Sequence, residues 1–145
     1  MSNSNPFPQS NPFGTDFRIS GAPSGILDSD AAMSLQTGRA MLAQRILCRL
    51  STGRGSVIDC PNDCIDIRDS LSDGLTADQI AGLGANVRAE LLKDEQISDC
   101  TVQSTYSFST SALTMTIQVQ SAYGPFSMVL FVTNVTVALL NANLL

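Results

Sequence analysis

The chain has 145 residues, 43% hydrophobic and 14% charged, with eight Lys plus Arg against thirteen Asp plus Glu. That length suits one domain, and a net charge of −5 makes a phosphate backbone a poor partner. His is absent, which removes imidazole general bases, Ser-His-Asp triads and His-bearing zinc sites.

Residues 1–30 differ in composition from the rest. Ser4-Asn5-Pro6-Phe7 recurs as Ser10-Asn11-Pro12-Phe13, and each Asn before a Pro is pushed towards extended backbone. The polar start, Met1-Ser2-Asn3-Ser4-Asn5, does not read as a secretory signal. The segment reads either as a floppy tail or as an extended arm, with Phe7, Phe13 and Phe17 as its anchors in a partner.

The body opens with a helix expected over Ser34 to Leu50. Leu35, Leu42, Ile46 and Leu50 line one side of it. Arg39, Arg45 and Arg49 lie on the other faces, read as a solvated surface or as forks for carboxylates on another protein. Gly53 and Gly55 end the helix, and Val57-Ile58 is read as a short strand. Asp59, Asp63, Asp66, Asp69 and Asp73 follow. Their spacing does not match a calcium loop, so turn and capping duty is expected of them.

Ile65, Ile67 and Leu71 suggest a buried helical turn. Thr76 and Gln79 form a capping-box pattern ahead of Ile80, Leu83, Val87 and Leu91, which predicts a helix over Thr76–Lys93. Cys48, Cys60, Cys64 and Cys100 lack a second closely spaced pair for zinc and read as small, buried thiols.

After Lys93 the period changes to two. Val102, Tyr106 and Phe108 are expected on one face. Leu113, Met115, Ile117 and Val119 alternate with Thr114, Thr116, Gln118 and Gln120. The segment Phe126–Leu140 reads as one long strand, apolar on both faces. Phe126, Met128, Leu130 and Val132 alternate with apolar Val129 and Phe131. A bulge near Thr133-Asn134 then flips the register to Val135 and Val137. A strand of this kind is an aggregation hazard unless something covers it, which makes it a candidate interface by strand addition.

The expected fold is α+β: two main helices on an antiparallel sheet of three to four strands, one domain over residues 31–145 behind an arm over 1–30. No apolar run reaches about 18 residues, so no membrane span is expected. No phosphate-binding glycine loop is present, and nothing singles out Asp63 and Asp69 as a catalytic carboxylate pair. Neither catalytic residues nor a cofactor are expected.

The order of these pieces carries a resemblance over about residues 35–140. A helix ends in Thr52-Gly53-Arg54-Gly55-Ser56; the turn Asp59-Cys60-Pro61-Asn62-Asp63-Cys64-Ile65-Asp66-Ile67-Arg68-Asp69-Ser70-Leu71 follows, then a helix and strands. This resembles the phage baseplate wedge family of baseplate assembly protein W and the sheath initiators of contractile tails, some members of which are described as lysozyme-like. Where the family has Pro after the first helix this chain has Gly53, and where it has Gly before the Ile-Asp-like segment it has Cys64. The stretch matching its Glu-Pro-Arg-Leu-like element is Asp94-Glu95-Gln96-Ile97.

The resemblance implies a non-enzymatic part of the virion tail, assembled in the host cytoplasm in several copies, commonly six. The implied partners are other wedge proteins, the tube or hub, and the sheath. Strand addition would template the first sheath ring, with Arg45, Arg49, Asp94 and Glu95 among the contact residues. A related injection machine of the type VI secretion kind, a tail-associated cell-wall hydrolase and an orphan binding module are the alternatives.

Overall fold

In a computed structural model of the chain, the described residues are 16–17, 19–21, 27–29, 35–72 and 74–143. The fold is α+β. Four short strands come first: β1 (Asp16–Phe17), β2 (Ile19–Gly21), β3 (Leu27–Ser29) and β4 (Leu35–Gln36). β1 pairs with β4 and β2 with β3, both antiparallel, so Asp16–Phe17 lie beside Leu35–Gln36 just ahead of the first helix. Leu35 is therefore a strand residue, and the first helix, α1 (Gly38–Ser51), starts later than its apolar spacing suggests. It is followed by α2 (Ile67–Ser72) and α3 (Ala77–Leu91).

Local chemistry accounts for the helix ends. Thr76 accepts from the Gln79 amide while the Gln79 side chain accepts from the Thr76 amide, the reciprocal pair that satisfies two orphan donors. Asp66 Oδ1 accepts the Arg68 amide at 3.0 Å ahead of α2. After α1, Thr52 is extended, and Gly55, not Gly53, takes the left-handed backbone at φ +85°. The segment Val57-Ile58 forms turns, with the Cys60 amide donating to the Val57 carbonyl, and not the expected strand.

A four-stranded antiparallel meander completes the chain: β5 (Ile97–Ser107), β6 (Ala112–Ser121), β7 (Gly124–Val132) and β8 (Val137–Asn143). Its inner face is a register of apolar rows. Leu113 pairs with Val132, Met115 with Leu130, Ile117 with Met128 and Val119 with Phe126, and all eight are buried. Leu42, Ile46 and Leu50 of α1, Ile67 and Leu71 of α2, and Leu83, Val87 and Leu91 of α3 close over them as one core. A bulge between Ile97 and Asp99 lets both Ile97 and Cys100 turn inward. Phe108 is not on the core face: it lies in the β5–β6 turn, exposed, with its ring edge-on to Tyr106 at 4.9 Å.

The single long strand expected over Phe126–Leu140 is two strands. Thr133–Thr136 is a hairpin turn, closed by the Thr133 amide donating to the Thr136 carbonyl at 2.8 Å. The apparent register flip between Val132 and Val135 comes from this four-residue turn, not from a bulge. A bulge does occur further on, where β8 pairs with Val129 and Leu130 of β7. β7 is therefore an interior strand, hydrogen-bonded on both sides, and β8 forms the sheet edge.

Candidate assembly interface

The residues read from sequence as contacts for other proteins fall into three groups. The first is internal. Phe126, Met128, Leu130, Val132 and Val137 are core side chains, because β7 presents its even positions to the helices. Arg45 and Asp94 are each other's partners: Arg45 Nη2 stands 3.0 Å from Asp94 Oδ2, an ion pair off the hydrogen-bonding line, while Arg45 Nη1 donates to Gln96 Oε1. Asp94 is only 4% exposed and holds its oxygens against Arg45 and the Gln96 amide. Arg49 is likewise committed within the chain.

Arg49 leads to a polar cluster, which forms around Glu90. This carboxylate is 1% exposed and receives four donors. Oε1 accepts from the Cys64 amide at 2.7 Å and from Arg49 Nη1 at 3.3 Å. Oε2 accepts from Lys93 Nζ at 2.8 Å and from Arg54 Nη2 at 3.2 Å. Asp63 adds a second carboxylate, 3.4 Å from Arg49 Nη1 and 3.9 Å from Lys93 Nζ. Burial pushes the Glu90 carboxyl up, but Lys93, the Cys64 amide and Arg49 outweigh it and hold it below its usual range. The cluster ties α1, the loop after it and the end of α3 together. An ionised carboxylate with every donor satisfied acts here as a clamp, with no proton to give at neutral pH.

The Glu90 cluster was missed from sequence because Glu90 stands on the Leu83–Val87–Leu91 side of a helix read by its apolar positions. Spacing did hold a signal: Glu90 follows Val87 by three and precedes Leu91 by one, inside the buried arc.

The second group is exposed or half-exposed. Val129 and Phe131 are half-buried on the outer face of the sheet, Glu95 is exposed, and Val135 stands 69% exposed at the tip of the β7–β8 turn. Arg68 holds that turn: Nη1 donates to the Val135 carbonyl and Nη2 to the Ser51 carbonyl at the end of α1. The third group, Phe7 and Phe13, lies outside the described residues; Phe17 contributes backbone to β1, and its side chain lies outside them too.

The two sheet edges differ. α3 lies along β5 at the first edge. Arg88 Nε donates to the Cys100 carbonyl at 2.9 Å and Ser104 Oγ to the Ile80 carbonyl at 3.3 Å. A Cβ on Gly84 would stand 3.8 Å from the Val102 carbonyl, so helix and strand backbones meet at this glycine. β8 at the second edge carries no charge and no proline in Val137-Ala138-Leu139-Leu140-Asn141-Ala142-Asn143. Leu139 and Leu140 on it are 40% and 61% exposed.

The four thiols are free. Cys60 is exposed, against the expectation of burial, because the turn at Pro61 carries it outward. Burial pushes the Cys48, Cys64 and Cys100 thiols up, which keeps them protonated and poor nucleophiles. Cys48 and Cys64 line a pocket of about 250 Å³ between α1 and the following loop, along with Val57, Arg45 and Arg49. Among the described residues no three His, Cys, Asp or Glu side chains are grouped to hold a metal ion. No helix among them is long and apolar enough to cross a membrane. No protein-family model matches the chain, and no curated protein matches it.

Proposed function

We propose that this protein is a structural, non-enzymatic component of a contractile-tail baseplate that joins wedge proteins to the tube and seeds the first sheath ring by accepting or donating a strand. The observation that carries this reading is the β8 edge, which pairs with no further strand among the described residues. Sheet edges facing water are ordinarily blunted by Lys, Pro, bulges or covering segments. The β5 edge has α3 along it; β8 touches α1 but still offers exposed Leu139 and Leu140, with one bulge among the described residues. Strand addition would use the outward amides and carbonyls of β8 for affinity and alternate side chains for specificity. The strand responsible is thus β8, with β7 beneath it in the core.

The left-handed backbone of Cys64, φ +74°, adds support. It is a glycine-type conformation at the position where the resembling family carries Gly. The test is tail assembly with Leu140→Pro, after circular dichroism has confirmed the fold. Baseplates should form on tubes that remain bare of sheath. Full-length sheaths on Leu140→Pro particles would overturn the reading.

A further inference from the structure

Charge is distributed very unevenly along this chain. Of its 21 charged residues, 20 precede residue 97, and the whole sheet contains only Asp99. Asp99 sits at the β5 bulge, ion-paired with Arg88 of α3 at 2.8 Å. The outer face of the sheet, away from the helices, is otherwise built of uncharged side chains. Gln103, Thr116 and Val129 form one row across β5, β6 and β7, and Thr105, Thr114 and Phe131 form the next.

A sheet face exposed to water alternates apolar-in with polar-out, but nothing in that rule removes charge. Depletion of charge together with a placed aromatic is the composition of an interface core.

We propose that this face packs on the same face of a second copy of the chain, as a two-fold sheet-on-sheet dimer. Three considerations select a second copy. The face is uncharged apart from the Asp99–Arg88 pair, so the same patch on two copies can meet, as in a two-fold interface, without like-charge repulsion. Two sheets stacked at about 10 Å would put the two charged helix layers on opposite outer sides, separated by more than the screening length of about 8–10 Å, so the net charge of −5 on each chain offers little repulsion. In size, four strands about 4.8 Å apart and about nine residues long give a projected face of roughly 600 Å². That lies at the lower end of what a specific dimer buries per partner, the size class of weak, reversible association. The proposal is independent of the β8 edge and of any tail.

Sedimentation velocity of the full chain over a concentration series tests it. The wild type should pass from monomer to dimer. Thr116→Lys and Gln118→Glu, each on the outer face, should weaken dimerisation about tenfold or more, since each buries an unpaired charge between two uncharged faces. Leu140→Pro, which removes one edge amide without charging the outer face, should leave it unchanged. Two substitutions of opposite sign guard against one that fails to fold, which circular dichroism reports. A wild type that stays monomeric up to about 300 µM would overturn the proposal, because a face at the lower size limit of specific dimers still has to associate measurably there. So would a dimer broken by Leu140→Pro and indifferent to Thr116→Lys, which would mean edge pairing.

Discussion

Glu90 Oε1 accepts the backbone amide of Cys64 at 2.7 Å, across 26 residues of chain, and Cys64 is one of two non-glycine residues with positive φ among those described. The bond and the backbone conformation belong together. Left-handed backbone at an L-residue costs about 1–2 kcal/mol and persists only where the surroundings impose it. A buried carboxylate that needs its donors is such a surrounding.

Replacing Glu90 by Gln should therefore cost about 2–4 kcal/mol of stability, read as a lower urea midpoint with an unchanged slope. The figure stays below that of a wholly buried pair because Arg54 and Lys93 are 58% and 38% exposed and can turn to water.

The same carboxylate sets a pH dependence. Its pKa in the fold lies below that of the unfolded chain, about 4.3. The unfolded state thus binds the proton more readily. Glu90's stabilisation is present in full above the unfolded value and is lost as pH falls through the folded one. Urea midpoints measured from pH 7 down to pH 3 should drop for the wild type, and less steeply for Glu90→Gln.

At position 64 itself, Cys64→Gly should lie within about 1 kcal/mol of wild type, because relief of the left-handed backbone offsets the lost burial of the thiol. Cys64→Val should cost about 2 kcal/mol or more, since a β-branched residue fits this conformation worst. Equal stability of the two variants would contradict the described backbone.

Neighbouring residues of β7 should respond in opposite ways. Leu130→Ala empties a fully buried site between Met115 and the helices and should cost about 2–5 kcal/mol. Phe131→Ala on the outer face should cost about 1 kcal/mol or less in the monomer. Thermal denaturation at a concentration low enough to keep the chain monomeric distinguishes them.

Much of this fold was legible in the sequence. The period-two alternation at Leu113–Val119 located β6, and Thr76 with Gln79 located the start of α3, because both signals are local and chemical. Two things were not legible. The C-terminal segment reads as one strand because Thr133-Asn134-Val135-Thr136 holds neither Gly nor Pro; its turn is made by Thr133 and Thr136 side chains 3.1 Å apart, a pairing visible only once the chain folds back. The inward destination of Arg45 and Arg49 was hidden for a related reason. Their partners Asp94 and Glu90 lie 41 or more residues away, and a helix surface read alone cannot show which of its charges another helix will meet.

The meander has a kinetic consequence. β5 to β8 follow one another through turns of four, two and four residues, so each strand closes only a short loop to find its partner. α3 is local to β5, but α1 reaches the sheet across a far longer span; Arg39 of α1 donates to the Tyr123 carbonyl 84 residues away. The sheet can therefore form before α1 docks, with the apolar row of Met115, Ile117, Met128 and Leu130 briefly bare on one side. Productive folding is then a race between arrival of the helix layer and adhesion of two such sheets through the wrong face.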